Sequence, residues 1–298
     1  MKKNNWLIYA LITMVTWGVW GALSEIPAKE GFPSTLTYVV WSITMIICAL
    51  IALKNIHFKL DTRKKSIMLG MTTGLLGAGG QLLLFQALLD GPAYIIFPIT
   101  SLSPIVTVVL SMLFLKEKAK PLSIIGIILA LVAIFCISYS NATGGAGNGF
   151  LWLIFAIIIF IAWGVQGFIM KVANNNSPDA ESIFVYMAIS AVLLVPVALF
   201  MTDFSLDINL GFKGPYLSFI IQILNAIGAL FLVYAMRYGK AMVVSPLTNA
   251  LAPVLTVILS LILYKVFPPT IQIMGIIAAL IAVFILSSEP DETPVIKK

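Results

Sequence analysis

The residues of this sequence that could do chemistry are amides, indoles and hydroxyls set within long apolar runs. Gln81, Gln222 and Asn225 each lie well inside such a run. A side-chain amide carries both donors and acceptors, and leaving a buried one unpaired costs roughly 1–3 kcal/mol. These amides can therefore form hydrogen bonds, either to a bound solute or water, or between neighbouring helices. Both interpretations stay open at this point.

Two tryptophans occupy the middle of apolar runs, away from the run ends where tryptophan usually collects in bilayer-spanning segments. Trp17 lies in "TWGVWG" and Trp163 in "AWGVQG", 146 residues further along the chain. An indole N–H at such a position needs an acceptor. We expect either core packing or a pair of aromatic walls around a solute, with Trp20 and Gln166 joining them.

Hydroxyl and amide side chains form a stripe on two further runs. At helical spacing, one face carries Thr100, Ser103, Thr107 and Ser111, and the corresponding face carries Asn249, Ala252, Thr256 and Ser260. Hydroxyls here either bond the carbonyl one turn back and let helices approach closely, or face a cavity. Thr100 and Asn249 each lie shortly after a proline, and we expect them to contact a solute.

The same two runs contain paired prolines. Pro98 and Pro104 lie in one run, Pro246 and Pro253 in the other. Each proline removes a backbone donor and frees a carbonyl, which is tolerated within a membrane where the backbone lines a cavity or is bonded by neighbours. The prolines predict kinks at a binding site, with simple packing kinks as the alternative.

Glu25 is the one carboxylate placed well within a predicted run, about 12 Å from its centre at 1.5 Å per residue. One interpretation is a carboxylate near the membrane surface that pairs with Lys29 or Lys265. The other is a cation or proton site, because burial raises the pKa of an acid and a proton could compete there with a positively charged solute.

The sequence contains no pattern typical of an enzyme active site or a cofactor site. The one histidine, His57, falls in a basic turn, and Asp90, Asp203 and Asp207 fall at run ends. There is no paired-carboxylate, metal-ligand or phosphate-binding motif. We therefore expect no enzymatic activity, no catalytic residue, no metal and no cofactor.

Composition identifies the elements that must position these residues. Sixty per cent of residues are hydrophobic, 10% are charged and the mean hydropathy is +1.06, far from the values of a soluble domain. A bilayer crossing takes about 20 helical residues. Ten runs of that length are predicted as transmembrane helices: 6–29, 34–54, 66–89, 93–115, 121–140, 150–173, 181–202, 215–237, 241–264 and 270–288.

The distribution of basic residues predicts the orientation of these helices. With ten crossings, 15 of the 18 Lys and Arg residues fall on the side of both termini, and Lys29, Lys213 and Lys265 fall on the other. The positive-inside rule then places both termini in the cytoplasm and the chain in the cytoplasmic membrane. The same bias explains the net charge of +6, so nucleic acid is not expected as a partner.

The chain repeats itself. A shift of 146 residues superposes Trp163 and Gly164 on Trp17 and Gly18, and a shift of 149 superposes Pro253 on Pro104. Residues 1–143 and 144–298 are thus predicted as two five-helix repeats. Because five is odd, the second repeat enters the membrane from the opposite side, an arrangement typical of secondary transporters. Gly74 and Gly77 align with Gln222 and Asn225, which predicts an asymmetric cavity.

Together, the "WG" pairs in runs 1 and 6 and the "PxxTxxxSxxxxK" pattern of runs 4 and 9 resemble the EamA-type family of the drug/metabolite transporter superfamily. The resemblance covers essentially the whole chain. It implies an all-α integral membrane fold with a central cavity lined by helices 1, 3, 4, 6, 8 and 9, with helices 5 and 10 at the periphery. That family commonly has a Lys where this chain has Glu25, whereas Lys171 keeps the pattern.

These features predict a secondary active transporter, an exporter of small metabolites such as amino-acid-like solutes, working by alternating access. A proton-coupled exporter of organic or quaternary cations that uses Glu25 is the alternative. A second alternative is a structural, sensing or lipid-scrambling membrane protein without transport activity. The expected partners are a small-molecule substrate and membrane lipid, and the resemblance implies a monomer.

Overall fold

The computed structural model describes residues 6–24, 26–90, 96, 99–138, 150–264 and 269–286. Across these ranges the chain is helical, without strands. The helices are α1 Trp6–Leu23, α2 Ile26–Lys29, α3 Ser34–Asn55, α4 Lys64–Asp90, α5 Pro104–Leu110, α6 Pro121–Ser138, α7 Leu151–Asn176, α8 Ala180–Leu193, α9 Val195–Phe200, α10 Leu217–Tyr238, α11 Ala241–Tyr264 and α12 Thr270–Leu286, with π-helical turns at Ser111–Leu115 and Phe212–Tyr216.

The protein is an all-helical, multi-pass membrane protein. Six described segments are long and apolar enough to cross a membrane, namely Trp6–Lys29, Ser34–Asn55, Lys64–Ala87, Leu151–Asn176, Ala180–Phe200 and Phe212–Tyr238. Shorter apolar helices cover Ile99–Leu115, Pro121–Ile137, Ala241–Thr256 and Thr270–Leu286. These segments overlap the ten predicted runs.

Local chemistry explains several helix boundaries. The Asp179 carboxylate accepts a bond of 2.6 Å from the backbone N–H of Ser182 and so caps α8. Glu117 accepts bonds of 3.0 Å from the first two backbone N–H groups of α11, at Ala241 and Met242. Pro196 lies in the first turn of α9, where its missing N–H costs nothing.

The most extensive helix contacts join the first half of the chain to the second. α4 packs on α7 and α8, α1 packs on α10 and α11, and α6 packs along α12. Within the first half, by contrast, α3 and α4 hardly touch. The helices of the first half therefore bury their faces mainly against the second half, and the two halves form one body.

Close approach between the halves uses glycine and threonine at corresponding positions. The Thr107 hydroxyl donates to the carbonyl of Gly164 at 2.8 Å, and the Thr256 hydroxyl donates to the carbonyl of Gly18 at 3.0 Å. Thr256 also bonds the Ala252 carbonyl one turn back, at 3.1 Å. For these two threonines the close-packing interpretation of the hydroxyl stripe is confirmed.

The contact at Gly164 predicts a stability change. A Cβ added there would lie 2.4 Å from the Val106 Cβ and 2.6 Å from the Ser103 carbonyl oxygen. Because α5 and α7 would have to separate, we expect Gly164→Ala to cost about 1–3 kcal/mol and lower the Tm by several degrees. Thermal unfolding of the detergent-solubilised protein measures this.

Gly79→Ala is the matched control for that measurement. An added Cβ at Gly79 meets no atom within 4 Å, and alanine is favoured over glycine in a helix by about 1 kcal/mol. Its Tm should equal or exceed that of the wild type. Equal Tm values for the two variants would contradict the tight α5–α7 contact.

Candidate functional site

A cavity of about 270 Å³ lies between the two halves. Its walls come from α1, α3, α4, α7, α8, α10 and α11, with Ser103 contributing from the start of α5. α3 lines the cavity with Trp41 and Met45, and α8 lines it with Met187. These are the second and seventh predicted transmembrane helices, and they add to the helices that the family resemblance implies. None of the described residues of α6 or α12 lines it.

Most of the residues predicted to contact a solute lie together at this cavity. Those that line it are Trp17, Trp20, Gln81, Trp163, Gln166, Asn225 and Asn249. Gln222 lines an adjoining cavity of about 210 Å³, which shares Trp20, Trp41, Gln81 and Asn225 with the first. The two adjoining cavities are treated as one site, lined by both aromatic and amide side chains.

Thr100 is the predicted contact residue that lies elsewhere. It is 2% exposed, its hydroxyl donates to the carbonyl of Ile96 at 3.0 Å, and neither cavity lining includes it. A threonine in a helix can satisfy its hydroxyl against the preceding turn, and this removes its need for a solute.

Three of the four predicted kink prolines lie among the described residues, whereas Glu25 does not. Pro104 is the first residue of α5, directly after the cavity residue Ser103, while Pro246 and Pro253 lie inside α11. Pro98 and Glu25 lie outside the described residues.

The indoles of Trp17 and Trp163 are anchored by equivalent hydrogen bonds. Trp17 Nε1 donates to the backbone carbonyl of Asn225 at 3.2 Å, and Trp163 Nε1 donates to the backbone carbonyl of Gly77 at 3.3 Å. Gly77 and Asn225 occupy corresponding positions in α4 and α10. Each indole N–H is thus bonded to the opposite half, and only the carbon surface of the ring faces the cavity.

Glycines make room for both rings. A Cβ at Gly228 would lie 2.4 Å from Trp17 Cδ1, and a Cβ at Gly80 would lie 2.3 Å from Trp163 Nε1. These two glycines also correspond in the repeat. The rings therefore lie directly against the backbones of α10 and α4, which fixes the aromatic walls of the cavity.

The rest of the lining differs between the halves. Trp20 Nε1 donates to the side-chain oxygen of Gln222 at 3.1 Å on α10. At the corresponding position of the second half, Gln166 lies against Gly77, whose added Cβ would be 2.3 Å from Gln166 Nε2. The amides of α10 replace the glycines of α4, so the polar groups are unevenly distributed around the cavity, as the aligned sequences predicted.

Three amides remain available for a bound molecule. Among the described residues, no hydrogen bond occupies the side-chain amide of Gln81, Gln166 or Asn225, and each is partly exposed. Asn249 differs because its Nδ2 donates to the Ser245 carbonyl at 2.9 Å. No charged side chain appears among the described residues that line the two cavities.

Sequence reasoning missed part of the lining. Trp41 lines both cavities, and Met45 lies one turn further along the same face of α3. The Trp41 indole N–H is buried and, within the described residues, makes no hydrogen bond. Its one-turn spacing from Met45 was a signal that could have indicated a shared face.

At the basic end of the bundle, defined by Arg63, Lys118, Arg237 and Lys240, Arg237 and Lys171 bond backbone carbonyls of their own half, and Lys240 bonds a carbonyl of the first half. Buried Arg237 donates from Nη2 to the Pro178 carbonyl at 2.6 Å and from Nη1 to the Ser177 carbonyl at 3.3 Å. Lys171 Nζ donates to the Gly239 carbonyl at 2.6 Å, and Lys240 Nζ to the Lys118 carbonyl at 2.5 Å.

Asp61 ties the loop before α4 to the second half at this end. Its carboxylate accepts from Arg63 at 2.8 Å and from the hydroxyls of Ser66 and Ser177, and Tyr186 donates to its carbonyl at 2.8 Å. The hydrogen bond from the Arg63 guanidinium is the largest cause that lowers the pKa of Asp61 to about 2.

The opposite end, next to the adjoining cavity, also has contacts between the halves. Lys213 and Glu30 form an exposed ion pair of 2.8 Å, and Thr202 donates to Thr35 at 2.7 Å. The adjoining cavity reaches this end at Ser24, Ala28, Ser34 and Thr37. Among the described residues, no cluster of His, Cys, Asp and Glu could hold a metal ion.

Comparison with known proteins identifies the family. The sequence profile of the EamA-like transporter family matches residues 4–139 and again residues 150–288. The predicted resemblance to the EamA-type family of the drug/metabolite transporter superfamily is therefore confirmed.

Two individual proteins illustrate the similarity. An uncharacterized protein of Methanocaldococcus jannaschii is 34% identical over 135 residues, which are 45% of this chain and 97% of that protein. A solved crystal structure of a protein is similar to this chain with a TM-score of 0.73 at 16% identity, over 95% of this chain and 96% of that one. At that identity the structure establishes a shared fold alone.

The Asp61 network generates a pH-dependent prediction. A carboxyl whose pKa falls from 3.8 to about 2 on folding stabilises the fold above pH 3.8, and this stabilisation disappears as pH falls through about 2. Asp61→Asn should therefore lower the free energy of unfolding by about 1–2 kcal/mol at pH 7. The difference from wild type should narrow between pH 4 and pH 2.

Thermal unfolding in detergent at several pH values measures this difference. Asp207→Asn, the same change at an exposed carboxylate, serves as the control and should track the wild type. A constant gap between Asp61→Asn and wild type across the acid range would show that the carboxylate charge does not stabilise this end.

Proposed function

Because this chain belongs to the EamA-like transporter family, we propose that it is a secondary active transporter that exports small metabolites, such as amino-acid-like solutes, across the cytoplasmic membrane. The observation that carries this proposal is the cavity between the halves, with anchored indoles and unpaired amides on its walls. A site at the interface of two repeats can be exposed to either side by a small rearrangement of one against the other.

The proposed topology has ten transmembrane helices in two inverted five-helix repeats, residues 1–143 and 144–298. Both termini lie in the cytoplasm, because the basic residues concentrate on that side. The corresponding contacts at Gly18 and Gly164, and at Trp17 and Trp163, support two structurally equivalent halves.

Alternating access in this proposal exchanges the interactions at the two ends. The bonds that join the halves at the basic end hold that end closed, namely those from Tyr186 to Asp61, from Lys240 to Lys118 and from Ala241 to Glu117, while the adjoining cavity continues toward the opposite end. Opening the basic end requires these bonds to break and the contacts around Glu30 and Thr202 to tighten. The indoles and amides at the centre contact the solute in both states.

Export of organic or quaternary cations remains the second candidate. The specific observation that favours it is the aromatic wall of Trp17, Trp20, Trp41 and Trp163, because an indole ring attracts a cation. Glu25 would supply the proton or cation site in that mechanism. We propose no enzymatic step, cofactor or nucleic-acid partner, and a single chain suffices because it contains both halves.

Removing the cavity walls should abolish transport. We expect Trp163→Ala and Asn225→Leu to lower flux tenfold or more, because one removes an anchored ring and the other an unpaired amide. Counterflow into proteoliposomes of labelled phenylalanine, tyramine and tetraphenylphosphonium measures this. Phe200→Ala, at a side chain that is 91% exposed, should leave flux unchanged. Unaltered flux in both cavity variants would exclude this cavity as the pathway.

Gly77→Ala tests the amide positions without removing one. Its added Cβ would displace the flexible end of Gln166, so we expect a Tm close to wild type and reduced flux. Gly79→Ala, two residues along the same helix and free of contacts, should transport normally. Equal flux in the two alanine variants would show that Gln166 takes no part in transport.

A further inference from the structure

The cavity chemistry points to a narrower class of solute. We infer that the site takes an uncharged, planar nitrogen heterocycle of about nucleobase size, with neighbouring hydrogen-bond donors and acceptors on its ring edge. This inference rests on the proposed export of small metabolites and narrows their class to an uncharged solute, in place of an amino-acid-like one.

The first argument is charge. The described residues that line both cavities include amides, hydroxyls, indoles and thioethers, and no acid or base. A net charge that leaves water for such a site loses its hydration without gaining an ionic partner. A zwitterion has the same disadvantage at both of its charges. An uncharged solute avoids both costs.

The second argument is shape. Trp17, Trp20 and Trp163 all donate their indole N–H to protein acceptors, so the rings offer a solute only their carbon surface. Flat aromatic surfaces prefer flat aromatic partners in offset-stacked or edge-to-face arrangements. The glycine contacts at Gly80 and Gly228 hold two of the rings against backbone, so the walls are already rigid before a solute enters.

The third argument is hydrogen bonding. Gln81, Gln166 and Asn225 each present an unused donor and an unused acceptor, within the part of the chain that the structure describes. A lactam or amidine edge of a heterocycle presents the same pair in complementary order. A hydrocarbon ring would leave these amides unpaired, whereas a nucleobase edge satisfies one or more of them.

The fourth argument is size. The two adjoining cavities measure about 270 and 210 Å³, so even taken together they lie in the lower half of the roughly 300–1,000 Å³ typical of small-molecule sites. A molecule of one or two fused rings fits this space, and an extended one does not.

The experiment is counterflow into proteoliposomes that contain the full chain, with labelled uracil and hypoxanthine as probes. Phenylalanine is the zwitterionic comparison, tyramine the cationic one and indole the planar ring that lacks an acceptor. We expect accumulation of uracil or hypoxanthine at least tenfold above that of the other three solutes. Accumulation of phenylalanine or tyramine without the heterocycles would overturn this inference and leave the transport proposal intact.

Variants and analogues test the hydrogen bonds separately. Gln81→Leu, Gln166→Leu and Asn225→Leu should each reduce heterocycle uptake about tenfold or more, while Gln272→Leu, the same change on peripheral α12, should not. If the cavity variants do not fold, 1,3-dimethyluracil provides the test on the wild type, since it keeps the planar ring and both carbonyl acceptors of uracil and lacks its N–H donors. It should compete with labelled uracil at least tenfold less well than unlabelled uracil does.

Two further outcomes would refute the inference. Equal uptake by the amide variants, or equal competition by dimethyluracil, would refute recognition of a ring edge. No counterflow of any of these solutes or of tetraphenylphosphonium, by protein with a cooperative thermal transition, would refute the transport proposal and this inference together.

Discussion

A hydrogen bond from a buried indole to a backbone carbonyl of the other half organises the centre of this protein. Within a membrane there is no water to satisfy the indole N–H, so the ring must reach a carbonyl, and it can do so only where a glycine lets it lie against the opposing helix. Trp17 with Gly228 and Trp163 with Gly80 meet this requirement in the same way. The cavity is the space that these two constraints leave between the halves.

The helix contacts are repeated in the two halves, but the polar side chains that face the cavity are not. Where α4 has Gly74 and Gly77, α10 has Gln222 and Asn225, so duplicated helix contacts surround polar groups that are not duplicated. Contacts between the halves maintain the fold, and their chemistry is constrained by close packing. Side chains that face the cavity are not so constrained, which allows them to specify a ligand while the scaffold stays the same.

Much of this arrangement could be predicted from the sequence, because membrane helices are long apolar runs and the repeat aligns Trp17 with Trp163. The asymmetry between Gly77 and Asn225 was visible for the same reason. The roles of Thr100 and Trp41 could not be predicted from the sequence. The role of Thr100 depends on whether its hydroxyl bonds its own helix, and that of Trp41 on which helices of the opposite half adjoin α3. Such contacts link residues far apart in sequence, and a local pattern does not report them.

The interlocking of the halves also has a consequence for synthesis on the ribosome. α6 packs along α12, whose first residue is Thr270, and α4 packs on α7 and α8, so helices made early lack their final neighbours until much later. At about 5–20 residues per second, the roughly 150 residues between the start of α6 and the start of α12 represent a delay of about 7–30 s. During that interval the nascent first half holds its glycine grooves and amides open to lipid or to the insertion machinery, which makes this the stage at which assembly is most exposed to error.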